Sequence, residues 1–157
     1  MVSEGKSAAD FTLPGIDEHG VEKTYSLKDF KGKQLVLYFY PKDNTPGCTQ
    51  EACDFRDNMA RLLKGAVVAG ISPDSISSHK KFMEKHSIPY PLLSDEDRQS
   101  ALAYGAYGEK TMYGKKSMGI IRSTFLIDEK GVVKKAWRGV KVAGHVDEVL
   151  AALGELD

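Results

Sequence analysis

The sequence predicts an α/β sandwich built on a mixed sheet. Three features carry that prediction. Two short apolar runs without polar alternation, QLVLYFY over 34–40 and AVVAGI over 66–71, read as strands buried on both faces. Helical patterns follow both runs, and a late pair of strand patterns flanks a tight turn. At 157 residues, 41% hydrophobic and 28% charged, the chain has the size and composition of one globular domain, expected to span residues 1–157.

Basic and acidic residues number 22 each, so the formal net charge is zero. No long-range field draws the chain to phosphate backbones or anionic lipid, and neither nucleic acid nor membrane is an expected partner. Lysine pairs at 80–81, 115–116 and 134–135 are set apart by acidic or apolar stretches and read as solvated surface. The start MVSEGKSAADF lacks a basic segment followed by an apolar run, and LVLYFY and GAVVAGI are too short to cross a bilayer, which predicts a cytoplasmic protein. Two cysteines in a reducing compartment point to catalysis or redox sensing more than to a structural staple.

Taken in order, residues 9–30 read as two short extended pieces around a turn at Asp17 to Gly20, then a helical turn capped by Ser26. Gln34 to Tyr40 is the expected central strand. It stops at Pro41, where PKDNTPG concentrates turn formers ahead of a helical pattern. On a wheel of about 100° per residue, Ala52, Phe55, Met59, Leu62 and Leu63 fall within about 60° of Cys48, giving one helix from Cys48 to Leu63 with the cysteine heading its apolar stripe. Gly65 reads as its C-cap, and Ala66 to Ile71 as the second buried strand.

Ser75 to His86 is a helix with Ile76, His79, Phe82 and Met83 inward, broken by Pro89 and Pro91 before the short run Leu92-Leu93. Asp97 to Tyr104 is a further short helix. Gly105 to Gly119, rich in Gly, Lys and Tyr without a period, reads as a long surface connection. Arg122 to Asp128 and Gly131 to Trp137 are strands around a turn, and His145 to Leu153 is a closing amphipathic helix. This order matches a thioredoxin-like three-layer α/β/α sandwich with a central mixed sheet and an N-terminal β-hairpin. Fold alone says nothing of function.

Chemistry concentrates at Cys48. Turn residues give way to a helix there, so the sulfur faces unpaired N–H groups and the positive end of the helix dipole, a setting that favours thiolate. On position alone the residue reads equally well as a small core hydrophobe. Cys53 breaks the tie. Five residues on, it lies about 140° around the helix and ~8.7 Å away between Cα atoms, beyond the roughly 7 Å that a disulfide spans. A static bridge is therefore disfavoured, and forming one requires the first turns to unwind. The spacing is not C-x-x-C, and His19, His79, His86 and His145 show no paired ligand spacing, so no metal is expected.

The stretch Phe39 to Cys53, FYPKDNTPGCTQEAC, resembles the active-site signature of the peroxiredoxins, in the bacterioferritin comigratory protein or peroxiredoxin Q branch. Its Pro-x-x-x-Thr-x-x-Cys motif falls on Pro41, Thr45 and Cys48, and the branch's resolving cysteine on Cys53. The likeness continues through Tyr113-Gly114-Lys115 and MGIIRSTFLID, where Arg122 matches the family's active-site arginine.

The resemblance implies a thiol peroxidase that needs no cofactor, with peroxide as substrate, thioredoxin or a similar dithiol as reductant, and a monomeric or weakly dimeric state. It assigns Cys48 as the peroxidatic and Cys53 as the resolving cysteine. Arg122 would hold the thiolate and donate to the peroxide oxygens. Thr45 would accept from the peroxide and donate to the thiolate, a role compatible with that of an ordinary N-cap. Pro41 would shield the sulfur or simply end the strand, and the N–H groups of Gly47 and Cys48 would line the peroxide pocket. Gln50 and Glu51 read as helix surface. Rival readings are a thiol–disulfide oxidoreductase, which ordinarily needs C-x-x-C, and a redox sensor that oxidises once without turning over.

Overall fold

The computed structural model describes residues 1–156. The hairpin β1 (Thr12–Ile16) and β2 (Glu22–Ser26) leads through a 3-10 turn over Leu27–Phe30 into β3 (Gln34–Phe39). There follow α1 (Pro46–Asp57), α2 (Met59–Leu62), β4 (Ala66–Ser72), α3 (Ile76–His86), β5 (Leu92–Ser94) and α4 (Gln99–Tyr104). The chain ends with β6 (Tyr107–Met112), β7 (Lys115–Ile120), β8 (Ser123–Ile127), β9 (Val133–Arg138) and α5 (His145–Leu156).

Seven strands form one mixed sheet in the order β2-β1-β5-β4-β3-β8-β9. β4 pairs in parallel with β3 and β5, and the other pairings are antiparallel. Two crossovers in the same direction, β3 to β4 and β4 to β5, place α1, α2 and α3 on one face, where α5 joins them. There Val36, Tyr38, Tyr40 and Val68 meet Phe55, Leu62, Phe82 and Val149. On the other face Leu35, Leu37, Phe39 and Phe125 pack with Ala101 and Tyr104 of α4 and with Phe11. The expected layers and hairpin are present, and β3 is buried on both faces as its unalternating sequence requires.

Two expectations are corrected. Residues 107–120 are a second hairpin, β6–β7, separate from the main sheet. Its two-residue turn places Tyr113 at φ 54° and Gly114 at φ 76°, the handedness that matches strand twist. The predicted helix from Cys48 to Leu63 begins earlier, at Pro46, and is divided at Asn58. Pro46 suits the first helical position, where an N–H would have no intrahelical partner. Asn58 leaves helical geometry at φ −109° and ψ 10°, and its side-chain amide donates to Asp54 O at 2.8 Å.

α1 is seated on aromatic residues. Phe55 stacks on Tyr38 with centroids 4.8 Å apart, and its full burial contributes roughly 2 kcal/mol. Tyr38 lies against Gly70 of β4, where an added Cβ would come within 3.0 Å of the ring. The Tyr38 and Tyr90 hydroxyls are 2.6 Å apart, and Tyr90 donates to Ala52 O of α1 at 3.2 Å.

Candidate active site

The site forms where β3 ends. Phe39 pairs with Ser123, so the register of the antiparallel β3–β8 ladder places Arg122 across from Tyr40, beside the loop 41–45 and the head of α1. Pro41 and Thr45 are half-buried in that loop, and Gly47 is exposed. The first intrahelical bond runs from Thr49 N–H to Thr45 O at 2.8 Å, so the N–H groups of Gly47 and Cys48 precede the helical ladder.

Cys48 is buried at 2% exposure, and Arg122 Nη2 donates to its sulfur at 3.3 Å. The other arm of the fork, Nη1, donates to Glu51 Oε1 at 2.7 Å. Burial alone would weaken the Arg122 charge, but the Glu51 carboxylate and the Cys48 sulfur together raise its pKa above the ordinary value. Lys110 of β6 is also within reach of this charge. Burial first, and then the positive charge of Arg122, lowers its pKa. The β6–β7 hairpin thus belongs to the surroundings of the site.

Glu51 corrects the expectation of a surface position. Its side chain is 1% exposed, and Oε2 has no hydrogen-bond partner among the described residues. Burial pushes its carboxyl up to about 7, against the pull of Arg122. The signal was present on the helical wheel, because Glu51 stands three residues from Cys48 and about 60° from it, at the edge of the apolar stripe. A carboxylate there needs a buried cation.

Thr45 has the extended backbone of an N-cap but makes no side-chain cap bond, and its hydroxyl donates to Lys42 O at 2.7 Å. That proton is therefore engaged, and the oxygen's lone pairs remain to accept. Cys53 is half-buried on the same unbroken helix as Cys48, and both thiols are free. Together with Pro46, Thr49, Gln50 and His86 it lines a surface cleft of about 290 Å³. The structure therefore brings Cys48, Arg122 and Glu51 together, with Thr45 and Gly47 adjoining, and leaves Cys53 around the helix.

Sequence spacing also missed a buried polar cluster behind the loop. Asp43, Asp74 and His79, from three different elements, bring ligand-type atoms within 4.8 Å of one another, although no histidine spacing announces it.

A thioredoxin-like sheet carrying a buried thiol at a helix head under an arginine defines the peroxiredoxin class of thiol peroxidases. Residues 5–136 match the AhpC/TSA family. Peroxiredoxin Bcp of Bacillus subtilis is 50% identical over 153 residues, covering 97% of this chain and 95% of the relative. Among solved structures, PrxQ of Xylella fastidiosa, determined as a cysteine-to-serine variant, superposes with a TM-score of 0.88 at 39% identity, covering 99% and 97% of the two chains. Bacterioferritin comigratory protein of Xanthomonas campestris, solved in a study of its alkyl peroxide reduction, superposes at 0.81 with 46% identity, covering 91% and 90%. The chain belongs to the AhpC/TSA family of peroxiredoxins, in its Bcp or peroxiredoxin Q branch, and as a thiol peroxidase it acts on a peroxide and draws on a reductant.

Proposed function

We propose that Cys48 is the peroxidatic and Cys53 the resolving cysteine of a cycle that reduces hydrogen peroxide and organic hydroperoxides. The observation that carries this reading is the Arg122 N–H donated to the buried Cys48 sulfur. The thiolate attacks the terminal oxygen of ROOH, the O–O bond breaks, and RO⁻ leaves and takes a proton as ROH, while Cys48 becomes a sulfenic acid. Arg122 donates to the oxygen that gains charge. Thr45 accepts from the peroxide, the N–H groups of Gly47 and Cys48 complete the pocket, and the Pro41 ring keeps water from the sulfur.

Cys53 then attacks the Cys48 sulfenic sulfur, releasing water and forming the intramolecular disulfide. Within helix geometry the two Cα atoms stand ~8.7 Å apart, so α1 must unwind for this step. An external dithiol, thioredoxin by the family likeness, returns both thiols by exchange. Pro41, Thr45, Arg122 and the two cysteines make up the catalytic set, with no metal or organic cofactor in the cycle. The chain works as one domain over residues 1–157, in the cytoplasm, as a monomer or weak dimer. No helix among the described residues is long and apolar enough to cross a membrane.

One equivalent of hydrogen peroxide added to reduced protein, followed by mass and free-thiol measurement, tests the assignment. Wild type is expected to lose two thiols to an internal disulfide, and Cys53→Ser to stop at sulfenic acid or over-oxidise. If Cys48→Ser consumes peroxide with a thioredoxin system as fast as wild type, the assignment of Cys48 fails.

A further inference from the structure

Asp43 occupies the middle of the loop that carries Pro41 and Thr45, yet its side chain is 1% exposed. A carboxylate in a turn ordinarily faces water. Here Oδ1 accepts from the Tyr40 hydroxyl at 2.7 Å, and Oδ2 accepts from the Ser78 hydroxyl at 2.8 Å and lies 2.7 Å from His79 Nδ1. The His79 ring is itself fixed. Its Nε2 is 2.9 Å from Leu93 O, a carbonyl that can only accept, so Nε2 carries a proton and Nδ1 shares one with Asp43. The backbone N–H of Asp43 donates to Asp74 Oδ2 at 2.8 Å, and Ser72 holds that oxygen from the other side at 2.6 Å.

These partners come from the end of β3, the end of β4, α3 and β5, and none comes from α1. The loop on the far side of Asp43 is constrained as well. Asn44 takes a left-handed φ of 59°, after which the Thr45 hydroxyl turns back to Lys42 O. Asp43 is therefore the fixed point from which the direction of Thr45 is set. A buried, hydrogen-bonded acid–imidazole pair is weak evidence for stability, and its use here is to specify one loop conformation.

We propose that Asp43 and His79 form a positioning pair. They hold Lys42 to Thr45 in the conformation that receives the peroxide, and keep it there while α1 unwinds and refolds. The inference rests on the peroxidase reading of Cys48.

The test compares two reactions of Cys48 in a Cys53→Ser background. Hydrogen peroxide needs the Thr45 side of the pocket, whereas iodoacetamide needs only the sulfur. Asp43→Ala is expected to slow the peroxide reaction, followed by stopped-flow fluorescence of Trp137, by about tenfold or more, and to change iodoacetamide alkylation less than about twofold. Asp43→Asn, which keeps an acceptor oxygen in place, is expected to recover most of the loss, and His79→Gln to fall between the two.

A peroxide rate in Asp43→Ala within twofold of the parent, or equal slowing of both reactions, overturns the proposal. Should Asp43→Ala not fold, Ser78→Ala, which deletes one bond to Asp43, decides the matter. It is expected to lose two- to fourfold on peroxide alone, and an unchanged rate overturns the pair's role. If the parent itself forms no sulfenic acid, the peroxidase reading fails, and this inference falls with it.

Discussion

Arg122 and Cys48 lie 74 positions apart in the chain and meet at 3.3 Å, because the antiparallel pairing of β8 with β3 delivers the arginine to the end of the strand that leads into the cysteine's helix. The guanidinium is a fork, one arm on sulfur and the other on Glu51 at 2.7 Å. An ammonium group cannot occupy both positions with the same planar geometry. Arg122→Lys is expected to lower the second-order rate of Cys48 oxidation by about 100-fold, with little change in unfolding midpoint. A rate within threefold of wild type, measured by competition kinetics, would remove the fork from the mechanism.

Glu51 gives the stability of the protein a pH dependence. Burial raises its carboxyl from 4.5 to about 7. Below pH 4.5 it is protonated in folded and unfolded chains alike. Between 4.5 and 7 the unfolded chain releases the proton while the folded protein keeps it, so stability falls as pH rises through that window and levels off above it. Glu51→Gln cannot titrate. Urea unfolding at pH 4.5 and pH 8 is expected to show the variant gaining on wild type by on the order of 3 kcal/mol between the two. A gap independent of pH would contradict the raised carboxyl.

Gly47 tests how much room the arginine has. A methyl group there would stand 3.2 Å from Arg122 Nη2, close enough to push the guanidinium aside. In the first turn of a helix alanine itself is favourable. Gly47→Ala is therefore expected to slow peroxide reduction by about three- to tenfold while stability is unchanged or slightly raised, a separation that thermal melts and initial rates together will reveal.

Oxidation should leave a footprint in the backbone. With both cysteines on one unbroken helix, the disulfide form cannot keep α1 intact. Hydrogen exchange of the peroxide-treated protein is expected to show lost protection over residues 49–57, with β3 and β4 as protected as before. Undiminished protection of α1 in a protein whose mass shows the disulfide would refute the unwinding step.

Much of this site was legible because local chemistry and tertiary position agreed. QLVLYFY had to be buried on both faces, PKDNTPG had to turn, and Cys48 had to head a helix. Glu51 was misplaced because a charged residue on a helix ordinarily faces solvent, and its partner Arg122 is distant in sequence. The β6–β7 hairpin was unreadable for a different reason. With Lys115 to Met118 all exposed, no buried face imposes a two-residue period, and Tyr-Gly is a weaker hairpin signal than Asn-Gly. Asp43 and His79 each looked ordinary, one a turn former and the other an inward-facing residue of a helix. Only the folding of α3 against the loop makes them a pair.

The division of the helix at Asn58 has a consequence for where an oxidised chain can be cut. Unwinding has a natural stop there, since α2 keeps Leu62 fully buried beyond it. The loosened stretch contains Arg56, whose guanidinium in the reduced protein is clasped by His86 O at 2.7 Å. Under the proposed cycle the opening of α1 releases that clasp, so trypsin is expected to cut after Arg56 faster in the peroxide-treated protein than in the reduced one, a difference that limited proteolysis reads.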